Sequence, residues 1–351
     1  MEIMINLVMT RHLEETGFEI LISNPFLYVI IHLCMKRNED MLKNKSKKYI
    51  AITYAILAAL FYGFGAPLSK LLLQHVSPYM MSSLLYFGAG IGMLLIILFN
   101  KKQREVPITM SFGKKDIKYI VLMILLDIIA PILLMLGLLR TTASTASLLN
   151  NFEIVFTAII AMIFFKEVIG RKMWISIVLI LVSGVLLTFE DFTGLHISIG
   201  ALLVLGASLS WGLENNCTRM LSQGNPLYVV ILKGFGSGLG SFIIAISLNQ
   251  ISTVWYYVIL ALLLGFFSYG MSLYYYISAQ RHLGAARTSA YYAIAPFAGS
   301  IFSFIVLGET LSLVFAIAFI IMTFGTWLAI KENNAHTHEY TEKKATPSEN
   351  E

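Results

Sequence analysis

The chain reads as a series of long apolar runs joined by short polar connections. A membrane-spanning helix needs about 20 mostly apolar residues, and ten runs approach that length: 50–74, 79–99, 117–139, 144–166, 172–189, 196–219, 226–248, 255–279, 287–307 and 311–330. The runs are continuous and lack the two-residue alternation of barrel strands, so helices are expected rather than a β-barrel. The pattern predicts an all-α integral membrane protein with ten transmembrane helices. A first repeat would span 50–190 and a second 196–330, with a disordered polar tail over 331–351. Residues 1–49 form an N-terminal extension. Its apolar stretch "EILISNPFLYVIIHLCM" is broken by Asn24, Pro25 and His32 and lacks a basic leader. An eleventh span, an interfacial segment and a start at Met41, which would leave 311 residues, all remain open readings of it.

Composition agrees with this pattern. Hydrophobic residues make up 57% and charged residues 13%, against roughly 25% charged in soluble domains; the mean hydropathy is +0.76. The net charge of +5 is gathered in alternate connections. "MLKNKSKK", "NKKQREVPITMSFGKKD", "KEVIGRK" and "AQRHLGAAR" are basic, whereas "QHVSP", "EDFTGL", "NQISTV" and "GET" contain no lysine or arginine. Lys70 and Arg140 are the exceptions at that second end, where long side chains can snorkel outward. The positive-inside rule then places both termini of the ten-helix unit in the cytoplasm of a multi-pass plasma-membrane protein. Charge of this kind does not suggest nucleic acid. The two cysteines, Cys34 and Cys217, suggest neither a disulfide nor a metal set.

An internal repeat is visible. "FGAGIG" (87–92) recurs as "FGSGLG" (235–240), "FYGFGAPLSK" (61–70) aligns with "SWGLENNCTR" (210–219), and "MIFFKE" (162–167) aligns with "FIVLGE" (304–309). Three ordered matches imply two halves of about five helices each. An odd number of helices per half inverts the second half in the membrane, a pattern of secondary transporters whose binding site lies at the repeat interface. Gly88 and Gly92, like Gly236 and Gly240, are four apart and suit close helix packing. A nucleotide-binding role fails because no strand precedes them.

Ionisable groups inside the bilayer are costly, about 2.5–3.5 kcal/mol each on insertion scales, and so mark candidate sites. Asp127, Glu153, Glu214 and Lys233 are such groups. Ser147, Asn150, Glu153 and Thr157 share one helical face, with Asn151 beside it. Asp127 and Glu153 are equidistant from the turn near residue 140, which puts the two carboxylates at similar depth. Two acids at one depth in low dielectric cannot both ionise cheaply, which is the chemistry that proton coupling needs; a structural hydrogen-bond network is the alternative. The same arithmetic places Glu214 opposite Lys233 and predicts a buried ion pair, with Trp211 and Asn215 nearby. Glu167 and Glu309 precede the next helix, where a carboxylate favours the positive helix end.

The ten runs in two halves, "YGFGAPLSK", "SWGLENNCTR", "KGFGSG" and the "LGE" turn together resemble the EamA family of the drug/metabolite transporter superfamily, over most of residues 50–330. The resemblance implies a ten-helix carrier with alternating access. Helices one to four and six to nine would surround the cavity, and five and ten would pack outside and support a homodimer. "NFEIVFTA" is similar to the family's fourth helix, but Ile154 stands where proline commonly follows the glutamate. The second half keeps Pro296 and has Ala295 in place of Glu153; Glu214 stands where aspartate is expected. Tyr291 and Tyr292 align with Leu149 and Asn150, so they are further cavity candidates. The expected function is secondary transport of a small metabolite, amino acid-like or another organic solute, without cofactor or metal and with proton coupling as an option. A channel is the alternative. A membrane-embedded enzyme is less favoured, because no metal-hydrolase, aspartate-rich or nucleophile-elbow motif occurs. The partners expected are the small-molecule substrate and membrane lipid.

Overall fold

The computed structural model describes residues 49–99, 116–166, 169–191, 196–221, 226–251, 254–283, 288 and 291–345. The N-terminal stretch and its candidate start at Met41 lie outside these residues. The main helices, in chain order, are α1 (Tyr49–Leu72), α2 (Pro78–Phe99), α3 (Ile117–Leu138), α4 (Ala143–Phe165) and α5 (Arg171–Thr188). They continue as α6 (Ile199–Leu221), α7 (Pro226–Ser247), α8 (Trp255–Ala279), α9 (Ala295–Leu307) and α10 (Leu313–Ala345). Eight of these contain a stretch long and apolar enough to cross a membrane. The other two are α6, which carries Glu214 and its polar neighbours, and α9, whose 13 residues extend about 20 Å.

Apolar side chains cover the outside as well as filling the interior, and small polar ones are buried among them. Leu94, Leu98, Leu125, Ile129, Val178 and Val182 are exposed, whereas Ser82, Ser83, Ser208, Ser237 and Ser241 are buried. Apolar side chains facing outward along whole helices suit a hydrocarbon solvent, as expected of an integral membrane protein. Inside, small residues let helices approach.

The contacts are preserved when the two halves are exchanged. α3 packs on α6 as α8 packs on α1, and α2–α7, α4–α9 and α5–α10 pair repeat-related helices; all of these contacts join one half to the other. The glycines follow the same rule. A Cβ on Gly88 would lie 2.1 Å from the Leu262 carbonyl oxygen of α8, and one on Gly236 would lie 2.7 Å from Ile124 of α3. At the α2–α7 crossing a Cβ on Gly234 would lie 2.5 Å from the Gly90 Cα. The four-residue spacing therefore marks where α2 meets α8 and where α7 meets α3, and Gly90 and Gly234 let α2 and α7 cross; all three contacts join one half to the other.

Several details depart from uninterrupted helices. α4 is broken at Asn150 and Asn151 into Ala143–Leu149 and Phe152–Phe165. The amides of Asn151, Glu153 and Ile154 each bond a carbonyl three residues back, at 3.1 Å, the tighter winding of a 3₁₀ turn. Asn151 Nδ2 donates to the Leu148 carbonyl at 3.0 Å, so its side chain supports the break without a proline. α8 contains a π-helical segment, Phe266–Met271, that periodicity does not predict. Between α5 and α6, β1 (Phe189–Asp191) pairs antiparallel with β2 (His196–Ile197), a small exception to an all-α reading. Extended backbone there exchanges hydrogen bonds where the chain reverses, and Ser198 N donates to the Thr188 carbonyl at 2.8 Å. The tail expected to be disordered from Lys331 is helical as far as Ala345. Its Lys, Glu and Ala residues favour propagation of a helix already nucleated by the apolar span.

Candidate functional site

α4 and α6 meet closely because Gly212 sits against Phe156 and Thr157. The repeat-related contact, α1 against α9, is made by Gly63 beside Ala295 and Gly299. Between these contacts lies a cavity of about 210 Å³. It is bordered by α1, α2, α3, α4, α6, α7, α8 and α9; α5 and α10 contribute no lining residue among those described.

Most of the residues singled out in the sequence converge here. Asp127, Asn150, Asn151, Glu153, Trp211, Glu214, Asn215, Lys233 and Tyr292 all line the cavity. Lys233 Nζ lies 2.8 Å from Glu214 Oε1 and 3.3 Å from Asp127 Oδ2, so one lysine serves two acids. The Thr218 hydroxyl also donates to Glu214, and Tyr86 Oη donates to Asp127 Oδ1 at 2.9 Å. Asp127 is thus engaged by Lys233 and Tyr86 rather than by a direct pairing with Glu153. Depth alone could not resolve this, because α7 brings a cation to the same level.

Glu153 has a different neighbourhood. Asn215 Nδ2 donates to Glu153 Oε1 at 2.6 Å and is 3.3 Å from Thr157 Oγ1, so Thr157 supports the site from behind the cavity wall. Tyr291 is not at the cavity. It packs with Ile52 and Tyr54 on the Ala51, Ala55, Ala279 and Leu283 cluster. The break before α9 turns successive residues to different sides, so only Tyr292 faces inward.

The sequence reading missed Tyr62, Tyr86, Tyr269, Ser268 and Ser272, which also line the cavity. Tyr62 stands 5.8 Å from Tyr292 and 6.1 Å from Tyr269 between ring centroids; Tyr86 and Tyr269 are 5.4 Å apart. The repeat register contained a signal for two of them. Tyr62 aligns with Trp211 at the offset of 149, and Tyr269 with Asp127 at the offset of 142.

Toward the connection before α10, the space beyond the cavity is closed by packing between halves. Phe64 stacks on Phe302 with centroids 3.8 Å apart, and Ser300 Oγ donates to the Ser144 carbonyl at 3.0 Å. Glu309 then accepts from the Ala143 and Ser144 amides at 2.7 and 2.9 Å and lies 3.7 Å from Lys70 Nζ. Lys70 also donates to the Thr141 carbonyl. Glu309 therefore serves the N-terminus of α4 in the other half, not the helix that follows it. Lys70 points into this contact instead of snorkelling. Glu167, its repeat counterpart, lies outside the described residues.

Comparison with known proteins agrees with this architecture. The EamA-like transporter family matches twice, over residues 49–189 and 198–331. The chain belongs to that family. The two matches coincide with the halves exchanged by the packing symmetry, and EamA membership identifies the protein as a membrane transporter. An "Uncharacterized transporter" of Methanothermobacter thermautotrophicus is 30% identical, over 86% of this chain and 92% of its own. A protein of the same description from Clostridium kluyveri is 25% identical, with 79% and 91% covered. A solved crystal structure superposes with a TM-score of 0.59 at 16% identity, covering 80% of this chain and 95% of that one. That likeness concerns the fold alone.

Proposed function

We propose that this EamA protein is a secondary carrier that moves a small organic solute by alternating access through the cavity between its halves. The observation carrying this reading is a cavity bordered by eight helices, with Asp127, Glu153, Glu214 and Lys233 in its wall, inside a protein whose outer face is apolar. Buried charge in a membrane protein is costly and marks a transport path or a relay. In this reading all ten helices cross the membrane and the second half is inverted. α6 falls short of simple hydropathy because its polar residues face the cavity, and α9 is completed by the segment before Ala295. The basic connections then face the cytoplasm of a plasma-membrane protein. The closed end at Lys70, Glu309 and α4 is the outer gate, so the conformation is shut toward the outside. Glu153 and Asp127 are the candidate proton-coupling groups. α5 and α10, away from the cavity, are available for a homodimer in the lipid.

Reconstitution tests the reading. Proteoliposomes are incubated with a defined mixture of amino acids, amines, sugars and organic acids, and their contents are read by mass spectrometry. A carrier gives protein-dependent, saturable uptake of unaltered solute. Uptake linear with concentration would indicate a channel, and an altered solute would indicate an enzyme.

A further inference from the structure

The cavity lining holds three carboxylates, Asp127, Glu153 and Glu214, and among the described residues one basic side chain, Lys233. With all four ionised the sum is −2. Lys233 is already engaged by two acids at ion-pair distance, so it offers little to an anionic ligand. Glu153 differs: among the described residues it has no cation within ion-pair distance, and its partner is the neutral Asn215 amide. In a low-dielectric cavity an uncompensated carboxylate is a strong attractor for a cation.

Two further observations point to a ligand in this space. The side chains of Asn150 and Ser268, both on the cavity wall, are more than nine-tenths buried. Yet Asn150 Oδ1 and Ser268 Oγ have no hydrogen-bond partner among the described residues. Buried polar atoms without partners are uncommon in folded proteins, and each needs an explanation. The cavity wall is also aromatic: Tyr62, Tyr86, Tyr269, Tyr292 and Trp211 line it. Aromatic faces attract ammonium groups, by about 0.5–2 kcal/mol each. The volume of about 210 Å³ corresponds to about seven waters at ~30 Å³ each and is below the ~300–1,000 Å³ of drug-sized pockets.

We infer that the solute is a small organic ammonium, held by the Glu153 carboxylate within the aromatic wall and hydrogen-bonded by Asn150 and Ser268. This inference rests on the carrier reading for the cavity's role and adds the chemical class. A zwitterion or carboxylate fits less well, because no free cation among the described lining residues receives its negative end.

The test is binding to the purified full-length protein in detergent, read by isothermal calorimetry. Two matched sets serve as probes: isopentylamine, leucine and 4-methylpentanoate, then phenethylamine, phenylalanine and 3-phenylpropionate. Tetramethylammonium is added as a minimal cation. At least one amine should bind ten-fold or more tightly than its matched amino acid and carboxylate. Glu153→Gln should remove that discrimination while Glu153→Asp retains it, each checked for a monodisperse gel-filtration profile. The inference is overturned if no ammonium compound binds, if an amino acid or carboxylate binds as tightly, or if Glu153→Gln discriminates as the unaltered protein does. Should Glu153→Gln not fold, the wild-type ranking and Glu153→Asp decide. Because binding needs no flux, saturable uptake of a non-cationic solute would refute this inference alone. Amine binding without any protein-dependent uptake would refute the carrier reading alone.

Discussion

Replacing Lys233 with methionine removes the only basic side chain among the described cavity-lining residues and leaves Asp127 and Glu214 facing each other. Lys233 Nζ lies 2.8 Å from Glu214 and 3.3 Å from Asp127, and both acids are buried. Removing one partner of a buried pair typically costs 3–5 kcal/mol, and here two acids lose their partner at once. Lys233→Met should therefore destabilise the protein by about 3–5 kcal/mol. Glu214→Gln or Asp127→Asn alone leaves one cation and one anion in balance. Each should cost only about 1.5–3 kcal/mol, the usual value of a charge-assisted hydrogen bond. The triple change Lys233→Met, Glu214→Gln, Asp127→Asn should recover most of the Lys233→Met loss, because no buried charge stays unpaired. Reversible unfolding by SDS in mixed micelles, followed by tryptophan fluorescence, reads all four variants on one scale. The reasoning fails if Lys233→Met costs no more than the single acid changes, or if the losses simply add. It also fails if Asp127→Asn is silent, since that would reduce the cluster to a pair.

Other expectations follow from separate contacts. Glu309→Ala should destabilise by about 2–3 kcal/mol, because two amides of α4 lose a capping carboxylate and Lys70 loses its ion-pair partner; Glu309→Gln should lose about half as much by the same unfolding measurement. Gly88→Ala should cost about 1–3 kcal/mol or more, because its Cβ meets the Leu262 backbone oxygen and must push α2 from α8. Gly240→Ala should be milder, since its Cβ meets the terminal Ile128 Cδ1 methyl, which can rotate away. If protons are coupled through Glu153, a pH gradient should drive solute accumulation in proteoliposomes made with the unaltered protein. Glu153→Gln should abolish that dependence; an unchanged pH response would leave Glu153 as a hydrogen-bonding strut.

Much of the site was legible because charge in an apolar run is rare and helical geometry is regular. Asp127, Glu153, Glu214 and Lys233 stand out in any hydropathy reading, and hairpin arithmetic places Glu214 opposite Lys233. What it could not supply was the third dimension. Depth matching is a property of adjacent helices in sequence, whereas Lys233 reaches Asp127 across the boundary between halves. The Asn215–Glu153 contact likewise joins α6 to α4, which are not sequential neighbours. Tyr62, Tyr86 and Tyr269 escaped notice because aromatic residues in an apolar run look like ordinary packing. Only the repeat register, aligning Tyr62 with Trp211 and Tyr269 with Asp127, could have singled two of them out. Tyr291 failed for a local reason, since the chain turn before α9 decides which of two adjacent rings faces inward. Glu309 carried the right physics onto the wrong helix: a carboxylate does cap a positive helix end, but that end belongs to the other half.

The central claim is that one cavity opens alternately to the two sides of the membrane. Trans-acceleration tests it most directly, with proteoliposomes preloaded with the solute identified by uptake and challenged with the labelled form outside. The account predicts that internal solute speeds labelled entry several-fold and that the effect saturates. Labelled entry that is indifferent to internal solute and rises linearly with its concentration would contradict it.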